Sequence, residues 1–407
     1  MSDDLPGSDR LAGQFVWIAA GRVASAILQA VALLLLVRSM GPSDFGLVAA
    51  VLGLVTVAQA AFDLGLPTLA ARERARDSVA GLVGSALAIN TVTSLAVLAI
   101  LACLGLLLSM HDERFLLLLP LAVSAAFERI SDARLGVAVA DGDARHNFVG
   151  MVGRRAVTVG VLVAVLALTS LNPLFAFAVS SALGATASAV YARLVVRVHR
   201  DARAPAAAHV IRAGRSFWLN SLGLQARNLD ATIVTALAGG VQGGYYGLAS
   251  RLAVPLRLPA TSMGAALLPV ATRSEGRGRR ISNLKIAVAM WLACATAYAI
   301  AVPLTPSLLP AVTGPGYGGA VGTLQITLLG LCAAALCSLL TPVLQGWGKQ
   351  REVAVISVSC SVLCLASVAV CAIIGGSIGA ALALASSYFV QAIALGVITF
   401  STLQRSR

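Results

Sequence analysis

The sequence predicts an all-α polytopic membrane protein, with about 12 transmembrane helices in two six-helix bundles around a central cavity. Three observations carry that expectation. The mean hydropathy is +0.88, with 58% hydrophobic and only 12% charged residues. Apolar runs reach or exceed the roughly 20 residues a spanning helix needs, and they recur along the whole chain. The runs are too long for tilted strands and lack period-2 alternation, so helices rather than a barrel satisfy the backbone in lipid.

The elements follow in order. The polar, acidic start Met1 to Arg10 lacks the basic onset and cleavage site of a signal peptide. The first run, 14–37, is therefore read as a retained span, and it contains Arg22. The second, 45–69, carries Asp63 and Pro67. The run 79–108 follows, and then 115–140, which groups Glu128, Arg129, Asp132 and Arg134. Runs 147–168 and 172–197 complete a first set of six. The seventh, 216–238, has the most polar middle, with Asn220, Gln225, Arg227, Asn228 and Asp230. The eighth, 244–269, contains Arg251 and Arg257, and Pro255 and Pro259 can kink it. Runs 283–303, 320–343, 351–374 and 377–400 close the second set, with 304–319 expected as a long uncharged loop.

The net charge of +13 is almost all arginine, and it is unevenly placed. Alternate connections carry Arg72, Arg74 and Arg76, then Arg145, then Arg197, Arg200, Arg203 and Arg212. They continue with Arg273, Arg277, Arg279 and Arg280, then Lys349 and Arg351, and the tail adds Arg405 and Arg407. The opposite connections offer Arg38 and Arg114 and little else. The positive-inside rule explains this better than nucleic acid does and puts both termini in the cytoplasm. The basic stretch 197–215 then separates an N-terminal bundle, 1–196, from a C-terminal bundle, 216–407. Six spans each give the halves the same orientation, as in a parallel repeat. A shift of 201 residues lays Trp17 on Trp218, Phe45 on Tyr246, Gly46 on Gly247, Leu47 on Leu248 and Arg72 on Arg273.

Several function classes fall away. The seven cysteines all lie within apolar segments and form no loop pair with metal spacing. No phosphate-binding G-x-x-x-x-G-K loop occurs, and no His/Cys/Asp cluster proposes a metal. The four histidines lie in or beside loops. No connection is large enough for a soluble catalytic domain, so an enzyme, a cofactor and a nucleic-acid partner are not expected.

Val37-Arg38-Ser39-Met40-Gly41-Pro42-Ser43-Asp44-Phe45-Gly46-Leu47 resembles the "R-x-x-G-P-x-x-F-G" turn of Wzx-like polysaccharide and O-antigen flippases. These belong to the multidrug/oligosaccharidyl-lipid/polysaccharide (MOP) exporter superfamily. Phe62-Asp63-Leu64-Gly65-Leu66 and Asn228-Leu229-Asp230 are also similar to that family. So are Gly243 to Ala249 and Gly314-Pro315-Gly316-Tyr317. The resemblance covers nearly the whole chain; it rests on the order and spacing of loose motifs. It implies a MATE-like fold in a bacterial inner membrane. It further implies transfer of undecaprenyl-pyrophosphate-linked oligosaccharide between leaflets for surface polysaccharide biosynthesis. The implied partners are that lipid-linked oligosaccharide, membrane lipids, and a polymerase or glycosyltransferase.

Ionisable residues at membrane depth are costly and are functional candidates. Arg22, Arg227, Arg251, Arg257 and Asn220 are the candidates for contact with a phosphorylated, sugar-bearing substrate, since an arginine fork suits phosphoryl oxygens. For Arg22 the resemblance agrees, and snorkelling to the surface is the alternative. Asp63, Glu128, Arg129, Asp132 and Asp230 are candidates for ion coupling or gating, with Na+ or H+ as coupling ion. Arg227 and Asp230 can equally be a sealed i,i+3 pair. Arg129 can reach Asp132 at the same spacing, making Glu128 to Arg134 an internal salt-bridge lattice. Asp63 can simply bond a helix end. The competing functions are a multidrug exporter of the same superfamily, a peptidoglycan-precursor flippase and a non-transporting subunit of a polysaccharide complex. The arginines argue against cationic drugs, and peptidoglycan-precursor flippases usually have extra C-terminal helices.

Overall fold

The computed structural model describes residues 8–75, 80–196, 205–272 and 276–405. The expected spans are helical, and several are broken inside. The first is α1, Ser8–Ser39, and the second is split into α2, Pro42–Ala61, and α3, Leu66–Ala75. Then come α4, Ala80–Ser109, the short α5, Arg114–Leu117, α6, Pro120–Ala140, α7, Ala144–Leu168, and α8, Pro173–Val195. The seventh span is α9, Ala207–Gln225, a 3₁₀ turn at Ala226–Leu229, and α10, Asp230–Ala238. The eighth is α11, Gly240–Leu256, and α12, Leu258–Thr272. The chain continues as α13, Arg277–Thr313, α14, Ala320–Gly346, and the 56-residue α15, Gln350–Arg405. α15 contains the last two expected spans, joined at a kink where Gly376 has φ 57°. Among the described residues, 8 helices are long and apolar enough to cross a bilayer unbroken. The chain is a multi-pass membrane protein, and the remaining spans are assembled from shorter pieces.

Two expectations need correction. Residues 304–313 are not loop: α13 continues through Pro303, Pro306 and Pro310 to Thr313. Pro306 cannot donate to the carbonyl of Val302, four residues back, and that oxygen instead accepts from Gln325 Nε2 at 3.1 Å. The second is the linker 197–215: from Ala207 onward it is helix, so the seventh span starts nine residues earlier than expected.

The breaks share one solution. In lipid an unmet backbone group costs several kcal/mol. Where α2 ends, Trp218 Nε1 donates to the carbonyls of Ala60 at 3.2 Å and Ala61 at 3.0 Å. Arg129 Nη2 donates to the Phe62 carbonyl at 2.8 Å. The break passes through Leu64 at φ 50° and Gly65 at φ 69°. Where α11 meets α12, the Leu256 carbonyl accepts from the Tyr298 hydroxyl at 2.7 Å. At the α15 kink, Gln242 Oε1 accepts from both Ser377 N, 2.9 Å, and Ser377 Oγ, 2.7 Å.

The chain divides into two compact units. The first comprises Met1–Ser39 and Leu54–Ala226, the second Met40–Gly53 and Arg227–Arg407. The division differs from a cut at 197–215: α9 belongs to the first unit, and the first half of α2 belongs to the second. Helix starts at Ser8, Pro42, Ala80, Pro120 and Ala144 recur roughly 200 residues later at Ala207, Gly240, Arg277, Ala320 and Gln350. In the first unit α6, α7 and α8 pack together, and Ser131 and Ser188 share a 2.6 Å hydroxyl contact. Leu66, Leu69, Val83, Leu87, Ala133 and Val137 fill the space among α3, α4 and α6. In the second unit α14 packs on α12, α13 and α15. Gly46 approaches the backbone of Gly240 and Gly244 too closely for any side chain. That close contact is what small residues supply in membranes, where there is no hydrophobic force between helices.

Candidate functional site

Among the described residues, each unit groups charge within its helical spans, and the two groups differ in balance. In the first unit, antiparallel α6 and α7 follow each other through a short turn. Arg154 of α7 bridges Glu128 at 3.0 Å and Asp132 at 2.9 Å, while Arg155 reaches Glu128 at 3.2 Å. The Arg154 side chain is only 6% exposed, whereas Asp132 is 50% exposed. Two carboxylates thus meet two guanidinium groups, and the set is neutral. This corrects the expected Arg129–Asp132 pairing. Arg129, buried in α6, instead directs Nη2 at Phe62 O and lies 3.3 Å from both Asn90 Oδ1 and Thr93 Oγ1. The i,i+3 spacing permits contact between Arg129 and Asp132, but α7 offers Asp132 a stronger partner. Asp63 sits in the turn after α2, bonded to the Gly65 backbone N–H, with Arg129 as its electrostatic neighbour. Its position at a helix end makes it part of the break.

In the second unit the balance is positive. Arg227 lies in the 3₁₀ turn and Arg257 at the α11–α12 break, so both sit where backbone geometry is irregular. Both guanidinium groups address the ring of Tyr388, at 5.1 Å and 5.5 Å from its centroid. Arg257 Nη1 also donates to the Tyr388 hydroxyl at 3.2 Å, and Arg227 Nη2 donates to Gln391 Oε1 at 3.2 Å. Among the described residues neither forms a salt bridge, and the Nε of each is buried without a partner. A tyrosine face stabilises guanidinium groups through its quadrupole without neutralising them. The forks therefore retain donors for an incoming oxyanion.

Asp230 is the only acid placed near this cluster by the expectations above, and it is engaged. Its Oδ2 accepts from the buried Tyr246 hydroxyl at 2.9 Å and its Oδ1 from Ala231 N at 2.6 Å. Arg251 and Arg227 are its electrostatic neighbours. The structure thus brings Arg227, Arg251, Arg257 and Asp230 into one region of the second unit. Arg22 belongs to the first unit, exposed on α1, and makes no ion pair among the described residues. The Asn220 side chain lies outside the described residues. Arg154, Arg155, Tyr388 and Gln391 did not emerge from the sequence. For the two arginines a signal existed, since Arg154 and Asp132 are nearly equidistant from the turn at Gly142.

Comparison with known structures fixes the fold. The chain is similar to an inward-facing multidrug resistance MATE family transporter of the MOP superfamily, with TM-score 0.75 and 15% identity, covering 94% of this chain and 95% of that one. It is also similar to an outward-facing MATE transporter of that superfamily, with TM-score 0.68 and 16% identity over 97% and 96% of the two chains. A MOP superfamily transporter from Pyrococcus furiosus, described as having a binding pocket of reversed polarity, aligns with TM-score 0.61 and 16% identity over 97% and 96%. At these identities the likeness establishes the fold: this is a multi-pass membrane protein with a MATE-like fold. The model of the family described as polysaccharide biosynthesis protein matches residues 11–275, more than half of the sequence. The chain belongs to that polysaccharide biosynthesis protein family. No curated protein matches the sequence significantly.

Proposed function

We propose that this protein is a transporter that moves a lipid-linked, pyrophosphate-bearing oligosaccharide across a bacterial inner membrane for surface polysaccharide biosynthesis. The observation that carries the reading is the Arg227–Tyr388–Arg257 arrangement, which keeps two cations at membrane depth without pairing them to carboxylates. Unpaired charge there is costly, and an anionic ligand offsets the cost. The phosphoryl oxygens supply that charge, the sugars bond to neighbouring amide and hydroxyl groups, and the polyprenyl chain stays in lipid. Membership of a polysaccharide biosynthesis family and a MATE-like fold support the same reading. The reversed-polarity pocket in the description of the Pyrococcus furiosus transporter gives a precedent for a change of pocket polarity within this architecture. Export of cationic drugs fits less well, because such a ligand would meet like charge at Arg227 and Arg257.

The deciding experiment measures the leaflet distribution of lipid-linked glycans in cells lacking the gene. Accumulation on the cytoplasmic face is expected, reversed by the intact gene. Arg257→Ala should lower the rate of reversal about 10- to 100-fold, the loss of one charge-assisted contact. A normal distribution without the gene would sink the proposal. Replacing Asp132 or Asp230 by Asn tests ion coupling separately: unchanged dependence on Na+ and H+ would remove them as coupling sites.

A further inference from the structure

A second set of unmet donors lies away from the arginine–tyrosine site, at the helix ends on the side that carries the basic connections. There the second unit holds a recess of about 600 Å³. It is lined by Arg280 in the first turn of α13, Trp347 and Lys349 between α14 and α15, Glu352, and the hydroxyl residues Ser401 and Thr402 near the end of α15. The Arg280 guanidinium lies 5.5 Å from the centre of the Trp347 ring. Arg280 Nε and Trp347 Nε1 are both buried and have no hydrogen-bond partner among the described residues, and Trp347 as a whole is only 8% exposed. Lys349 Nζ contacts Glu352 Oε1 at 2.9 Å, which leaves the ammonium further donors. The Ser401 and Thr402 hydroxyls already donate to the Ile398 carbonyl. What remains is a half-open cavity with two cations, one carboxylate and at least two N–H groups lacking acceptors.

Buried donors without acceptors are rare because each carries a desolvation cost. A phosphate group answers both the charge and the donor count. Two observations point to a lipid as its source. Trp, Arg and Lys at helix ends mark headgroup depth, where basic pockets between helices take anionic headgroups. α15, whose end lines the recess, exposes Ile393, Val397 and Phe400 along another face, at 66%, 63% and 64%, an apolar surface open to acyl chains. We propose that this recess binds the phosphate of an anionic phospholipid in the leaflet on the basic side and so ties together the ends of α13, α14 and α15. The site is independent of the transported substrate.

The test uses the purified full chain in detergent, with thermal unfolding and native mass spectrometry as readouts. Phosphatidylglycerol should raise the unfolding midpoint and remain bound, and phosphatidylcholine at equal concentration should do neither. Arg280→Gln should weaken the apparent affinity for phosphatidylglycerol about tenfold or more. Trp347→Phe keeps the ring and removes one donor, so it should weaken binding less, and it carries the test if Arg280→Gln does not fold. Equal stabilisation by both lipids would overturn the proposal, as would unchanged phosphatidylglycerol binding in the variants that fold. Inorganic phosphate matching the lipid's effect would overturn the lipid assignment. None of these readouts involves transport, so their failure leaves the transport reading untouched.

Discussion

Arg154→Met removes the cation that holds Glu128 and Asp132 together. Arg154 makes contacts at 3.0 Å and 2.9 Å, each with a gross attraction of about 5 kcal/mol at an effective dielectric near 20. Desolvation offsets most of that, and the net cost of breaking a buried pair by removing one partner is about 3–5 kcal/mol. The estimate applies because Arg154 is 6% exposed; the half-exposed Asp132 keeps the true value toward the lower end. The variant leaves two carboxylates facing Arg155 alone. Adding Asp132→Asn restores charge balance and retains the Glu128–Arg155 contact, so roughly half the loss should return. The assay is thermal unfolding in detergent, where the single variant should lower the midpoint by roughly 4 °C. A single variant within about 0.5 kcal/mol of the parent would refute the picture of a buried lattice, as would a double variant no better than the single. Should the double variant recover its stability yet lose transport, these charges act in transport as well as in packing.

Two further predictions concern the broken helices. Trp218→Phe keeps the ring and removes the donor to Ala60 and Ala61, so it should destabilise the protein by about 1–2 kcal/mol, read by the same unfolding assay; an unchanged midpoint would mean those carbonyls find another donor. Gln242→Leu strips the acceptor from Ser377 N and Oγ at the α15 kink and should cost about 2 kcal/mol, with faster amide exchange measured at Ser377. Exchange at the parent rate would show that the kink is held by packing alone.

Much of this architecture was legible in the sequence, since lipid leaves a chain so few choices. Every expected span corresponds to helix, and the basic connections mark the span ends. What escaped were features that average hydropathy conceals. The span 147–168 is apolar enough overall that Arg154 and Arg155 passed unnoticed, although the acids of α6 required cations at that level of the hairpin. Residues 304–319 read as an uncharged loop, yet α13 runs on through Pro303, Pro306 and Pro310, because Gln325 supplies the Val302 carbonyl with a donor that Pro306 cannot. The start of α9 at Ala207 was hidden by arginines that read as linker. Of the candidate site, the arginines of the seventh and eighth spans were visible as anomalies. Tyr388 was not, because an aromatic residue in an apolar run carries no mark of the two cations it serves.

The capped breaks also bear on how the protein is made. Trp218 lies 158 residues after Ala60 in the chain, and Gln242 lies 135 residues before Ser377. A ribosome delivers α2 to the membrane long before the indole that completes its end, so the Ala61 carbonyl must wait, hydrated or at the bilayer surface, until α9 arrives, while that of Ala60 already accepts from Asp63 N at 3.3 Å. The α15 kink faces no such delay, since its acceptor is already in place when Gly375 and Gly376 emerge. The first unit thus remains unfinished until α9 of the seventh span has been made, which makes the order of synthesis part of the fold.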